Sequence, residues 1–158
     1  MLKNYRWLLL AMIIVGLDQW TKTLAVQHLE LYQPVSISAF FNLTLMHNTG
    51  AAFSLLVEAG GWQRWLFSGI AILASAIILM VLYKLPRYRL WAITGLSLIL
   101  GGALANLWDR ITLGYVVDFL DFYWGNYHWP AFNVADSAIV IGVFLLIIDS
   151  WHKQGEQT

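Results

Sequence analysis

Long apolar stretches alternate with short polar ones along the chain. The first runs unbroken from Trp7 to Leu17, and a helical pattern continues past Asp18, Thr21 and Lys22 to about Val26. Lys3 and Arg6 before it also fit the start of a secretory signal peptide. No small-x-small cleavage site follows, so Trp7–Val26 is expected to span a membrane. Trp62–Tyr83 is a second such stretch. At ~1.5 Å rise per residue it can cross a hydrocarbon layer ~30 Å thick. Lys84–Arg89 then form a basic turn in which Pro86 helps end the helix. Leu90 to about Leu107 and Phe132–Trp151 are the third and fourth expected spans. Small residues recur on them, among them Gly69, Gly101, Gly102, Ala135, Ala138 and Gly142, which suits close helix packing.

The polar stretches between spans differ from one another. Val35–Leu45 loosely alternates apolar and polar residues and predicts an extended strand. Such a strand belongs outside the hydrocarbon, where unpaired backbone is tolerated. Asn48-Thr49-Gly50 marks a turn. Ala52–Leu56 predicts a short helix lying on the membrane surface. Residues 108–131 form the other connecting segment, broken at Gly125 and Pro130. Lys3, Arg6, Lys84, Arg87, Arg89 and Lys153 fall at the N-terminus, the middle turn and the C-terminus. The positive-inside rule puts all three in the cytoplasm and residues 27–61 and 108–131 on the outer side.

Composition agrees. Of 158 residues, 59% are hydrophobic and 11% charged, and nine tryptophans suit interfacial aromatic belts. Mean hydropathy is +0.65. A formal net charge of zero offers no basic surface to nucleic acid, and the absence of cysteine excludes thiol catalysis, disulfides and thiolate metal sites. His28, His47, His128 and His152 are scattered without metal-ligand spacing.

The candidate chemistry lies in Asp118 and Asp136, each set among apolar residues at one end of the stretch from Gly114 to Val140. Two carboxylates sharing an apolar site do not both ionise readily, so the pair holds an acid and a base at one pH. Asn133 and Asp136, three apart before an apolar run, equally fit a helix capping pair. Asp121 would share the face of Asp118 if that segment were a helical turn. Asp18 and Lys22, acid first at four-residue spacing, fit a helical ion pair or a clamp on a substrate headgroup or loop. Asp18, Lys22, Asn48, Asn106, Arg110, Asp118 and Asp136 all converge at the outer ends of the expected helices. A transporter would need polar groups across the whole thickness of the membrane. A purely structural protein would use both aspartates as caps.

Five ordered motifs resemble those of the lipoprotein signal peptidases, the signal peptidase II family. They are Asp18-Gln19-x-x-Lys22, Asn48-Thr49-Gly50-Ala51-Ala52-Phe53, Gly101-Gly102-Ala103-Leu104-x-Asn106-Leu107-x-Asp109-Arg110, Gly114-x-Val116-Val117-Asp118-Phe119 and Phe132-Asn133-x-Ala135-Asp136-Ser137. Ala105 stands where the family often has glycine. The resemblance covers nearly the whole chain. It implies an all-α membrane protein, a single peptidase domain over residues 1–158, with four transmembrane helices, a small extracytoplasmic β-sheet and a short surface helix over the site. It also implies an aspartic endopeptidase of the bacterial inner membrane. With no cluster at ligand spacing and two aspartates sufficing for water activation, neither metal nor cofactor is expected. The substrate would be a prolipoprotein whose lipobox cysteine carries diacylglycerol, cut just before that cysteine. The catalytic dyad would be Asp118 and Asp136. Asp18, Lys22, Asn48, Gly50, Asn106, Arg110 and Asn133 would shape the site or hold the substrate. The expected partners are lipidated prolipoproteins and membrane lipid, with no nucleic acid, and the chain is expected to act as a monomer.

Overall fold

A computed structural model describes residues 5–50 and 61–155. Their elements are α1 (Tyr5–His28), β1 (Pro34–Ser38), β2 (Phe41–Asn48), α2 (Trp62–Lys84), α3 (Leu90–Thr112), β3 (Val116–Trp124), β4 (Tyr127–His128) and α4 (Val134–Gly155). All four helices are long and apolar enough to cross a membrane. The surface helix expected at Ala52–Leu56 lies outside the described residues.

The central helix is α3, which packs against α1, α2 and α4. Ala11, Ile78, Leu82, Ile93 and Leu100 from α1, α2 and α3 form the buried apolar core. Backbone approach, more than large side chains, sets the contact between α3 and α4. A Cβ on Gly95 would come within 2.6 Å of the Gly142 carbonyl oxygen, and one on Gly142 within 2.6 Å of that of Gly95. One turn before Asn106, a Cβ on Gly101 would meet the Ala11 carbonyl at 2.7 Å, and one on Gly102 would collide with the carbonyl of Ala135. Ala105, at the position where glycine was the pattern, is fully buried.

The third span runs further than its apolar pattern suggested. It continues past Leu107 to Thr112, carrying Asp109 and Arg110 within the helix. Polarity misled here because Asn106 and Asp109 are buried against other helices and do not mark a solvated end. The helix closes where the N–H groups of Leu113 and Gly114 both donate to the Asp109 carbonyl, with Gly114 at φ 91°. Arg64 of α2 donates to the Ile111 carbonyl at 2.7 Å and braces that end. Glycine suits the left-handed turn at 114, where a side chain would be strained.

The expected strand at Val35–Leu45 is a hairpin, β1 and β2, with its turn at Ala39–Phe40. The turn breaks the alternation, and beyond it Asn42 and Thr44 face inward. Residues 116–128 form two further strands, giving one antiparallel sheet in the order β1-β2-β3-β4. The sheet rests on the end of α1, where Ala25 packs with Leu45, Val117 and Phe119. Because β3 is extended, Asp118 and Asp121 point to opposite faces and do not share one as a helical turn would require.

Close backbone contact at Gly102 makes this position intolerant of bulk. Gly102→Leu should lower the thermal midpoint in detergent by several degrees, since overpacking costs about 1–3 kcal/mol. Gly69→Leu, whose Cβ meets nothing within 4 Å, should leave it unchanged. Equal midpoints for the two variants would refute the packing argument.

Candidate active site

The site begins with a buried cation. Lys22 of α1 is 3% exposed, so its ammonium must find acceptors inside the protein. It finds Asp18 Oδ2 at 2.7 Å, Asp109 Oδ2 at 2.7 Å and Asn106 Oδ1 at 2.9 Å, one acceptor for each donor. Gln19 donates to Asp109 Oδ1 at 2.7 Å, and the Val117 N–H donates to Asp109 Oδ2 at 3.2 Å. Asp109 thus ties α1 and α3 to the residue before Asp118.

An ammonium has no acceptor, so it fixes which end of the Asn106 amide faces it. The oxygen turns to Lys22, and the Asn106 nitrogen donates to Asp136 Oδ1 at 2.8 Å. Asn133 is fixed in the same way. Its oxygen accepts the Asp136 N–H at 2.9 Å, so its nitrogen faces Asp118 Oδ1 at 2.7 Å and Asn106 Oδ1 at 3.2 Å. Asn48 of β2 donates to Asp118 Oδ2 at 2.9 Å and accepts from the Gly50 N–H at 3.0 Å.

The start of α4 is organised by the same groups. Asn133 caps it through the Asp136 N–H, and Asp18 accepts the Ala135 N–H at 2.8 Å from across the bundle. Two of the N–H groups a helix start leaves unpaired are thereby satisfied, one by a carboxylate that also suits the helix dipole. Capping and site formation are one arrangement here, since the cap Asn133 is also the bridge between Asp118 and Asp136.

Asp118 is 2% exposed. Burial first, and then the negative charge of Asp136, raise its carboxyl to about 7, against the opposing hydrogen bonds from Asn48 and Asn133. Asp121, on the other face, behaves differently. Burial alone would raise it, but hydrogen bonds from His128, Thr44 and Asn42 hold it below the ordinary carboxylate value. Arg110 lies within electrostatic reach of Asp136 and Asp118, with its guanidinium 5.5 Å from the Phe67 ring. A buried pair of carboxyls, one holding a proton near neutrality and both oriented by amides, can activate water and protonate a carbonyl oxygen.

Residues 10–152 match the family model described as signal peptidase (SPase) II. The chain belongs to the signal peptidase II family. It is a peptidase and a multi-pass membrane protein. Among its relatives are a lipoprotein signal peptidase of Alteromonas mediterranea, 51% identical over 96% of this chain and 83% of the relative. One of Acinetobacter baylyi is 51% identical over 98% of this chain and 86% of the relative. A solved structure described as a bacterial membrane enzyme superposes with a TM-score of 0.87 at 31% identity, covering 99% of this chain and 93% of the other.

For this signal peptidase II chain, the structure brings Asp18, Lys22, Asn48, Gly50, Asn106, Asn133, Asp118 and Asp136 into one hydrogen-bonded cluster, with Arg110 beside it. Asp18 and Lys22 are buried at 0% and 3% exposure and are bonded to protein groups. Sequence reasoning gave no site role to Gln19 and Asp109. Both stand inside the quoted motifs, and the apolar setting of Asp109 beside Arg110 was the available signal.

The raised Asp118 carboxyl has a direct spectroscopic consequence. A protonated-carboxyl infrared band should persist at pH 6, fade as pH rises through about 7, and be missing from Asp118→Asn. A parent protein that shows no such band at pH 6 would contradict the assignment.

Proposed function

We propose that this chain is an aspartic endopeptidase that removes the signal peptide from diacylglyceryl-modified prolipoproteins. It cuts just before the lipidated cysteine at the outer face of the bacterial inner membrane. The lipoprotein signal peptidase relatives support the substrate class. The observation that carries the mechanism is the bridge of Asn133 between Asp118 and Asp136.

Asp118 holds the proton and Asp136 the charge, a state favoured by the position of Asp136 in the first turn of α4. Asp136 takes a proton from water as the water oxygen attacks the scissile carbonyl carbon. Asp118 gives its proton to the carbonyl oxygen, and a tetrahedral species forms. On collapse the C–N bond breaks, the leaving nitrogen takes the proton from Asp136, and Asp118 regains one from the hydroxyl. Asn48, Asn106 and Asn133 hold the carboxyls, and Arg110 offsets their charge. Asp18, Lys22 and Gly50 shape the site around them. No step requires a metal or another cofactor. Membrane lipid surrounds the enzyme, which acts as a monomer on its lipidated substrate.

Purified protein with a lipidated precursor peptide tests the chemistry. Asp118→Asn and Asp136→Asn should each lower cleavage roughly 10²-fold or more. The double variant should be little worse, because the pair acts as a unit. Asp121→Asn, changed on the opposite face of β3, should keep most activity. Near-normal turnover in either folded single variant would remove the dyad.

Sidedness is tested separately. With both termini and the basic turn cytoplasmic, a single cysteine at Tyr88 should resist an impermeant thiol reagent in intact cells, and one at Gln33 should react. Reversed labelling would invert the topology.

A further inference from the structure

The run from Phe122 to Phe132 contains Phe122, Tyr123, Trp124, Tyr127, Trp129 and Phe132 and no Lys, Arg, Asp or Glu. Trp124 and Tyr127 are each 85% exposed, and Trp129 is 60% exposed. Phe40, in the β1–β2 turn, is 56% exposed and is held at the same end of the sheet by the Tyr123 N–H, which donates to its carbonyl at 3.0 Å. The nearby Asp121 adds no surface charge, being 2% exposed and bonded to His128 at 2.8 Å and Thr44 at 2.9 Å. An exposed, uncharged aromatic surface of this kind marks an interaction site.

The path of β3 identifies the partner. Its start is tied to α3 through the Val117 N–H and Asp109. Val117 and Phe119 pack on Ala25 of α1. Leu120 exchanges backbone hydrogen bonds of 2.9 and 3.1 Å with Phe132, two residues before α4. A strand that touches two helix ends and the residues leading into a third runs along the face of the bundle and does not stand away from it. Trp124 lies four residues beyond Leu120, ~13 Å further in the same direction. The tip therefore passes beyond the helices while staying level with their ends. In a membrane-spanning bundle that level is the headgroup layer, where Trp and Tyr rings accumulate because one edge is apolar and the other polar.

We infer that Phe40, Phe122, Trp124, Tyr127 and Trp129 form a lateral foot resting in the lipid headgroup layer. The foot holds β3 flat on the bilayer surface and fixes the height of the site strand. With no Lys or Arg in this run, and with His128 bonded to Asp121, it needs no anionic lipid.

The absence of cysteine makes the test clean. The full chain bearing Asn126→Cys carries a nitroxide in phosphatidylcholine vesicles, and collisions with oxygen and with a water-soluble nickel chelate are measured. A label at Ile72→Cys on the exposed side of α2 gives the hydrocarbon reference, and free label in buffer gives the aqueous one. The label at 126 should meet the nickel chelate several-fold less than free label does and fall between the two references. Adding Trp124→Ser and Tyr127→Ser should move it toward the buffer value. A buffer-like label at 126 in the otherwise unchanged protein would overturn the inference. A label shielded from both reagents would also overturn it, because it would place the tip in a protein contact.

Discussion

The ammonium of Lys22 is the group on which the rest of the site depends. Burying it at the end of a membrane helix is costly unless every donor is used. Asp18, Asp109 and Asn106 use all three. Each of those acceptors reaches a different element. Asp18 holds the start of α4, Asp109 holds the start of β3, and Asn106 holds the side chain of Asp136. A single positive charge therefore sets the relative positions of the helix carrying Asp136 and the strand carrying Asp118. It also sets direction, because an amide facing an ammonium has only one satisfactory orientation.

Charge balance follows from the same group. Asp18, Asp109, Asp118 and Asp136 face two cations, Lys22 and Arg110. With all four carboxyls ionised the cluster would carry excess negative charge in a poorly hydrated place. A proton held on Asp118 relieves part of that excess, in keeping with a carboxyl raised to about 7. Backbone packing keeps the geometry this balance requires. Gly102 lets α3 touch α4 at Ala135, beside Asp136 and one turn from Asn106. Bulk there would push Ala135, and with it the neighbouring Asp136, away from α3.

The spans were legible because twenty-residue apolar runs have little alternative to crossing a membrane. The sheet was legible only in part. Alternation revealed extended chain near Val35–Leu45 but not the turn at Ala39–Phe40, since residues on both sides of a hairpin keep a two-residue period. The β-branched and aromatic run Val116–Trp124 carried a usable strand signal, interrupted by Asp118 and Asp121. The extent of α3 was hidden for a physical reason: Asn106, Asp109 and Arg110 look like a solvated end, and only tertiary contact shows two of them buried. The Asp18–Lys22 pair was readable from its spacing. The third partner, Asp109, was not, because nothing in a one-dimensional pattern links residues that far apart. Gathering of the motif residues at one end of the bundle followed from helix order alone, whereas the amide bridges through Asn106 and Asn133 required coordinates.

Depth in the membrane constrains the proposed chemistry more tightly than residue identity does. A carboxyl at the middle of the bilayer would be raised far enough to stay neutral throughout the physiological range, and a pair there would supply two acids and no base. A carboxyl in open water would stay ionised, and the pair would supply two bases and no acid. Asp118 and Asp136 avoid both limits by sitting where the bundle meets the sheet. One is on a strand across the helix ends and the other in the first turn of a helix. Burial there is deep enough to hold a proton on Asp118 to about neutrality. The Asp136 carboxyl accepts the Asn106 amide beside the start of α4. In the proposed mechanism the two carboxyls take opposite protonation states at one pH, and the meeting of bundle and sheet gives them unlike surroundings, a strand for Asp118 and a helix start for Asp136.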